Sequence, residues 1–279
     1  MSEDAGARST FHQINGLRLR VLSWGDPGAR PLLALHGFPD SARLWRRVAP
    51  HLAQAGFRVI APDQRGFGQS DAPSGKSAYV VRTIAADAIA VLDALGVGRA
   101  GLIGHDWGSA IGWYLAASRS DRFERYAALA VGHPAAYARA GLEQKLKAWY
   151  VLVFLAPGLA EALFGGFDFA GLRRFMGGHP ETEAWVADLR RPGRLTAALN
   201  WYRANAGALA GAKPFPVNIP VMGIWSSRDV ALSEDQMTGS QAFVQAPFRY
   251  ERIEGVGHWT PLDAPERVGE LLCEFFGGA

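Results

Sequence analysis

The stretch Gly104-His-Asp-Trp-Gly108 joins an apolar run at residues 100–103 to a helical pattern at residues 109–118. Small residues two positions before and after Asp106 permit a sharp strand-to-helix turn, which lifts the central side chain above the edge of a sheet. The N-terminus of the following helix favours a negative charge at that position. The stretch therefore predicts a strand–turn–helix unit that presents the carboxylate of Asp106 as a nucleophile.

The chain before and after this turn alternates between two kinds of hydrophobic pattern. Residues 10–24 predict a hairpin around Asn15-Gly16, a strong two-residue turn signal. Further strands are predicted at residues 31–35, 57–61, 100–103 and 126–131, and helices at residues 44–55, 80–95 and 109–118. Such alternation predicts an α/β fold with a mostly parallel, twisted sheet flanked by helices.

The alternation stops in residues 134–213, which are rich in Ala, Leu, aromatic residues and Arg and contain no convincing strand pattern. We call this stretch the cap segment and expect it to be helical. Strand patterns resume at residues 221–225 and 248–253. The sequence thus predicts a core domain of residues 1–133 and 214–279, with a helical cap domain inserted after the sixth strand.

The composition narrows the classes of function. The 279 residues are 49% hydrophobic and 20% charged with a net charge of +3, which is typical of a globular protein without a nucleic-acid surface. The longest apolar run, residues 148–157, is shorter than the ~20 residues of a membrane span. The polar N-terminus MSEDAGARST has no apolar h-region, so we expect no secretory signal. The single cysteine, Cys273, suits a reducing compartment. We expect a cytoplasmic monomer or homodimer with no nucleic acid or membrane as partner.

Two more chemically active side chains follow predicted strands. Asp229 comes after the strand at residues 221–225, and His258 lies in a glycine-flanked loop after the strand at residues 248–253. The carboxyl ends of parallel strands meet at one edge of the sheet, where such sheets bind ligands. The order nucleophile, acid, histidine is that of a hydrolytic triad. The sequence therefore predicts a catalytic triad of Asp106, Asp229 and His258.

The loop His36-Gly-Phe-Pro39 follows the strand at residues 31–35. Backbone N–H groups from such a loop and from the residue after the nucleophile form an oxyanion hole in this arrangement. Here those groups belong to Phe38 and Trp107. The Phe38–Pro39 bond is a candidate cis peptide. His36 is expected beside the substrate, and for this residue a role in bracing the loop is favoured over a catalytic role.

Together these motifs resemble the epoxide hydrolases of the α/β-hydrolase family, from about Phe11 to Phe276. The similar blocks are His36-Gly-Phe-Pro39, Asp63-Gln-Arg-Gly-Phe-Gly-Gln-Ser70, Gly104-His-Asp-Trp-Gly108 and Gly257-His258-Trp259. The first two blocks occur in many family members of different activity. The block with aspartate at its centre, Gly104-His-Asp-Trp-Gly108, is found with a much smaller range of activities. The resemblance implies the α/β-hydrolase fold and an enzyme that converts an epoxide and water to a vicinal diol without a metal or an organic cofactor.

The resemblance implies that family members with an aspartate nucleophile catalyse one of two main reactions, epoxide hydrolysis or dehalogenation. The resemblance implies that an epoxide hydrolase supplies two cap tyrosines as acids, and Tyr150 and Tyr202 match them, the latter within Asn200-Trp-Tyr-Arg203. A haloalkane dehalogenase holds the halide with N–H donors, for which Trp107 is a candidate. We expect epoxide hydrolysis, with haloalkane dehalogenation and a non-catalytic binding protein of this fold as alternatives.

The expected reaction has two chemical steps. Asp106 attacks an oxirane carbon while Tyr150 and Tyr202 hydrogen-bond the oxygen, and a hydroxyalkyl ester forms. His258, oriented by Asp229, then activates the water that hydrolyses this ester. The substrate is expected to be a small hydrophobic epoxide. We expect these side chains to line its pocket: His36, Phe38, Pro39, Trp107, Trp149, Phe154 and Trp259.

Overall fold

Eight strands within residues 6–278 form one sheet in the order β1-β2-β4-β3-β5-β6-β7-β8. The strands are β1 (Arg8–Ile14), β2 (Leu17–Trp24), β3 (Arg30–Leu35), β4 (Phe57–Pro62), β5 (Ala100–His105), β6 (Phe123–Leu129), β7 (Val221–Ser226) and β8 (Phe248–Ile253). The pairs β1–β2 and β2–β4 are antiparallel, and the other neighbours are parallel. The prediction of a mostly parallel sheet is confirmed.

The structure is a computed structural model that describes residues 6–278, apart from the side chains of residues 208–210. Residues 1–5, at the start of the polar N-terminal stretch, and residue 279 lie outside the described residues. The prediction that a signal peptide is absent rests partly on residues 1–5, so it falls outside the described structure.

Helices cover the sheet and fill the cap segment. Those of the α/β part are α1 (Ala49–Gln54), α2 (Val81–Ala94), α3 (Trp107–Ser118), α10 (Glu234–Thr238), α11 (Thr260–Asp263) and α12 (Pro265–Gly277). Those between β6 and β7 are α4 (Pro134–Arg139), α5 (Leu142–Lys147), α6 (Trp149–Phe154), α7 (Leu159–Phe175), α8 (Thr182–Leu189) and α9 (Arg194–Gly211). None of the helices in the described chain is long and apolar enough to cross a membrane.

Two predicted elements differ from the observed ones for local reasons. The helix expected at residues 44–55 is split into a 3₁₀ turn, Ala42–Arg46, and α1. Pro50 occupies the first turn of α1, where its missing N–H is harmless, so a new helix begins there. The strand expected at residues 126–131 ends at Leu129, because Ala130 has a φ of 68° and leaves the extended conformation.

The central strands carry the buried core and aim their carboxyl ends at one edge of the sheet. Leu33, Ile103, Leu129 and Ile224 are fully buried, and each contributes roughly 2 kcal/mol by leaving water. The chain leaves the carboxyl ends of β3, β5, β7 and β8 into the segments that carry the candidate site residues. A rigid buried sheet thus fixes the starting points of those segments.

A buried ion pair joins the hairpin to the segment after β4. The Asp63 carboxylate accepts hydrogen bonds from Arg20 Nε at 2.7 Å and from the backbone N–H groups of Ala42 at 2.9 Å and Gln69 at 2.7 Å. Both charged side chains are almost completely buried. Removing one member of such a pair leaves an uncompensated charge in the interior.

We expect Asp63→Asn to lower the free energy of unfolding by about 3–5 kcal/mol, since the buried Arg20 charge then loses the negative charge of Asp63. Urea-induced unfolding followed by circular dichroism measures the change. Asp121→Asn is the matched control, because Asp121 pairs with Arg119 at the surface and its loss should leave stability unchanged. Equal stabilities for the two variants would contradict the prediction.

Candidate active site

The turn between β5 and α3 places Asp106 in a conformation that depends on its glycine neighbours. Asp106 has a φ of 53° and a ψ of −121°, a left-handed geometry that costs a non-glycine residue about 1–3 kcal/mol. A Cβ atom on Gly104 would lie 2.4 Å from the carbonyl oxygen of Gly108. A Cβ atom on Gly108 would lie 2.1 Å from the carbonyl oxygen of Leu35. Only glycine fits at both positions, which explains the spacing seen in the sequence.

The carboxylate of Asp106 is held by backbone donors. Its Oδ1 accepts a hydrogen bond from the N–H of Phe38 at 2.7 Å. The carboxylate also accepts a hydrogen bond from the N–H of Trp107. A Cβ atom on Gly37 would lie 2.1 Å from Oδ1 of Asp106, so the loop after β3 approaches this closely only because residue 37 is glycine. The structure thus brings both predicted oxyanion-hole amides to the carboxylate of Asp106.

Asp229 and His258 lie beside this carboxylate, as the order of motifs predicted. His258 Nδ1 donates to Asp229 Oδ2 at 2.8 Å, and His258 Nε2 lies 3.6 Å from Asp106 Oδ2. The other oxygen of Asp229 accepts hydrogen bonds from the N–H groups of Ala231 at 2.8 Å and Leu232 at 2.9 Å. One imidazole therefore lies between two carboxylates.

The charges of the three groups depend on one another. Burial by itself lowers the pKa of His258, but the negative charges of Asp229 and Asp106 outweigh burial and raise this pKa to about 10. Burial by itself raises the pKa of Asp106, but the hydrogen bond and charge of His258 outweigh it and bring this pKa below its ordinary value. At neutral pH the site holds an ionised Asp106 beside a protonated His258.

Tyr150 on α6 and Tyr202 on α9 face the same space as Asp106, with their ring centroids 6.4 Å apart. Burial, followed by nearby groups that include Asp106, raises the pKa of each phenol well above its ordinary value. Both phenols are therefore protonated at neutral pH and can donate hydrogen bonds. The ring of Tyr202 packs edge-on against the ring of Trp107, with 5.1 Å between the ring centroids. The Trp107 side chain also hydrogen-bonds the phenol of Tyr202.

Three cavities of different size are lined in part by these side chains. The inner cavity has a volume of about 50 Å³ and is lined by Asp106, Trp107, Tyr150 and Tyr202 with apolar residues around them. The vestibule has a volume of about 720 Å³ and is lined in part by His258 and Trp259. A third cavity of about 40 Å³ shares lining residues with both, and its walls include these residues: Phe38, Asp106, Tyr150, Tyr202, His258 and Trp259. The expected positions of Phe38, Trp107 and Trp259 at the pocket thus agree with the structure.

Three side chains expected in the pocket do not line these cavities. His36 is fully buried, accepts a hydrogen bond from the N–H of Gln64 at 3.0 Å and bonds the carbonyl of Gly37, so it braces the loop. Pro39 is also buried, and the Phe38–Pro39 peptide is cis. Phe154 is fully buried between the rings of Phe38 and Tyr202, which it supports from behind. The substrate-binding roles expected for these three residues are corrected accordingly.

Trp149 differs from its expected position in another way. Its side chain is 57% exposed and lines the vestibule, but it does not line the inner cavity. Trp149 and Tyr150 are consecutive on α6, so they point to different sides of the helix and only Tyr150 faces Asp106. The expected contact of Trp149 with the reacting part of a substrate is therefore corrected to a contact at the entrance.

Tyr137 on α4 lines the inner cavity and was not predicted. Its side chain hydrogen-bonds Gln144, and burial raises its pKa. No motif surrounds this residue in the sequence, because its stretch, Pro134-Ala-Ala-Tyr137, has the composition of any short helix. Its proximity to Asp106 follows from the way α4 packs, which a sequence pattern does not contain.

Comparisons with known proteins identify a family and similar chains. Residues 30–265 match the family model described as alpha/beta hydrolase fold. Epoxide hydrolase A of Mycobacterium tuberculosis is 31% identical, over 95% of this chain and 95% of that protein. Epoxide hydrolase 3 of Xenopus tropicalis is 30% identical, over 94% of this chain and 75% of that protein. The crystal structure of epoxide hydrolase A from Mycobacterium thermoresistibile matches with a TM-score of 0.83 and 29% identity, over 98% of each chain.

We expect Asp106→Asn to lower the pKa of His258, because the substitution removes one of the two negative charges that hold the proton on the imidazole. A pH titration of the His258 ring by NMR measures the midpoint. Asp263→Asn is the matched control, since Asp263 also lines the vestibule but bonds His179 at 3.0 Å. A midpoint that is the same in wild type and Asp106→Asn would contradict the charge coupling.

Proposed function

The chain belongs to the α/β-hydrolase fold family, and from this premise we propose that it is an epoxide hydrolase, which adds water to an epoxide to give a vicinal diol. The observation that carries the proposal is the position of an ionised carboxylate, Asp106, opposite two protonated phenols, Tyr150 and Tyr202, in one small cavity. Similarity along nearly the whole chain to proteins named epoxide hydrolases supports the same function.

The first proposed step forms an ester. Asp106 Oδ2, which lies 3.6 Å from His258 Nε2, attacks one oxirane carbon, because Oδ1 accepts the hydrogen bond of the Phe38 N–H. The carbon–oxygen bond of the ring breaks, and the leaving oxygen takes a proton from Tyr150 or Tyr202. The products are a hydroxyalkyl ester on Asp106 and one phenolate.

The second proposed step hydrolyses that ester. Esterification removes the charge of Asp106, so the pKa of His258 falls and its proton passes through water to the phenolate. Neutral His258, held by Asp229, then takes a proton from a water molecule that attacks Cγ of Asp106. The charge that develops on Oδ1 is held by the N–H groups of Phe38 and Trp107. Collapse of this intermediate breaks the bond between Cγ and the ester oxygen. The departing alkoxide takes the remaining proton of the attacking water, so the diol is released, the carboxylate of Asp106 is restored and His258 is protonated again.

The domain division and the kind of substrate belong to the same proposal. We take residues 1–133 and 214–279 as the core domain that carries the triad, and residues 134–213 as the cap domain that carries both phenols. The inner cavity has apolar walls around the polar groups: Ala110, Val131, Pro134, Val151 and Leu232. Such walls favour a hydrophobic epoxide over a polar one.

We expect His258→Gln to form the ester and then stall, because the nucleophile and phenols remain while the base for hydrolysis is gone. Intact-protein mass spectrometry after incubation with styrene oxide should show a mass increase of one substrate molecule, and peptide mapping should place it on Asp106. An unmodified chain under saturating epoxide would contradict a covalent route.

Two controls accompany this experiment. Asp106→Ala should show neither the adduct nor diol formation. Wild type should form diol from styrene oxide but release no halide from 1-bromobutane. The reason is that the side-chain N–H of Trp107, the candidate donor to a halide, already bonds Tyr202. Halide release without diol would favour a haloalkane dehalogenase, the alternative that also uses an aspartate nucleophile.

We expect Tyr150→Phe and Tyr202→Phe each to slow ester formation by roughly 10²-fold, because each removes a positioned acid from the leaving oxygen. Single-turnover kinetics in the His258→Gln background isolate this step. Tyr137→Phe is the matched control, since Tyr137 lines the same cavity but its hydroxyl bonds Gln144. Ester formation at the wild-type rate in both phenol variants would remove the two tyrosines from the mechanism.

A further inference from the structure

Residues 229–233, which begin after the two turn residues that follow β7, form a loop that we call the acid loop because it begins with Asp229. Asp229 keeps its orientation through the N–H groups of Ala231 and Leu232, which donate to its Oδ1. The side chain of Val230, the second residue of the loop, is 73% exposed, whereas those of Asp229, Leu232 and Ser233 are buried. The loop has no helix or strand, so side chains of neighbouring segments supply hydrogen bonds to its backbone carbonyl groups.

Lys147, the last residue of α5 in the cap segment, supplies two of these hydrogen bonds. Its Nζ donates to the carbonyl oxygen of Asp229 at 2.7 Å and to that of Leu232 at 3.2 Å. The same ammonium group pairs with Glu143 one turn earlier at 2.9 Å, which directs it along the helix. Hydrogen bonds from a charged donor are roughly twice as strong as neutral ones, so Lys147 holds the loop at two points.

Gln144, also on α5, holds the remainder of the acid loop. Its side chain is buried and donates to the carbonyl oxygen of Ala231 at 3.1 Å. Its Oε1 accepts from the N–H of Ser233 at 2.9 Å and from the Ser233 hydroxyl at 3.1 Å. One turn of the cap segment therefore bonds the carbonyls of Asp229, Ala231 and Leu232.

We propose that Lys147 and Gln144 are positioning residues through which the cap segment holds the Asp229 carboxylate against His258. This proposal rests on the proposed function. It adds that Lys147 and Gln144 affect only one of the two reaction steps. Ester formation uses Asp106, which belongs to the turn between β5 and α3, and phenols on α6 and α9. Ester hydrolysis uses His258, whose basicity requires a correctly held Asp229. Loosening the acid loop should therefore slow the second step and leave the first unchanged.

Lys147→Met tests this separation of steps. In rapid-quench experiments with styrene oxide, we expect ester formation at the wild-type rate and ester hydrolysis slowed by roughly tenfold, the loss associated with one hydrogen bond to a charged group. The ester should consequently accumulate during turnover and be visible by mass spectrometry. Lys147→Arg retains a cationic donor and should restore most of the hydrolysis rate.

Lys145→Met is the matched control, because Lys145 is exposed on the same helix and forms no ion pair or side-chain hydrogen bond with the described residues. It should behave as wild type in both steps. Gln144→Leu is the second variant, and thermal unfolding of every variant identifies any that fail to fold. A readout independent of turnover is the His258 pKa, which should fall in Lys147→Met and Gln144→Leu but not in Lys145→Met.

Two results would overturn the proposal. The first is an equal slowing of ester formation and hydrolysis in Lys147→Met, which would indicate a general structural role. The second is an unchanged His258 pKa in folded Lys147→Met and Gln144→Leu. If wild type forms neither ester nor diol, the proposed function fails instead, and the NMR titration still decides whether α5 positions Asp229.

Discussion

The close approach of backbone around Asp106 is the constraint on which the site depends. Three glycines make it possible: Gly37, Gly104 and Gly108 each stand where a Cβ atom would overlap a carboxylate or a carbonyl oxygen. This packing holds Asp106 in a left-handed conformation and brings the N–H of Phe38 to its Oδ1. A strained residue persists only where its surroundings over-determine it, and here the parallel strands β3 and β5 do so.

The second feature is electrostatic. A single imidazole, His258, lies between the carboxylates of Asp106 and Asp229, and the two negative charges outweigh the effect of burial on its pKa. His258 therefore carries a proton before the substrate reacts. Esterification of Asp106 would remove one of the two charges, so the base needed for hydrolysis would appear only after the ester exists. The order of the proposed steps thus follows from the charges.

The cap segment contributes phenols whose positions are set by aromatic packing. The ring centroid of Tyr202 lies 5.8 Å from that of Phe38 in the core and 4.9 Å from that of Phe154 in α6. The ring centroid of Tyr150 lies 5.4 Å from that of Phe154. Each such pair contributes about 0.5–1.5 kcal/mol beyond its buried area. Phe154 therefore matters to the site without touching the cavity. The bonds of Lys147 to the acid loop add a polar connection between the same two parts of the chain.

The amino-acid sequence by itself determined the alternation of strands and helices, the turn at Gly104–Gly108 and the order of Asp106, Asp229 and His258. These features are local, since they depend on hydrophobic period, glycine spacing and the position of a residue just after a strand. Only the tertiary structure decided that His36 and Phe154 support the site from behind, that Tyr137 lines the cavity and that Lys147 reaches the acid loop. Those outcomes depend on how each cap helix is rotated and packed against the sheet edge, and contacts between distant segments leave no periodic pattern in the sequence.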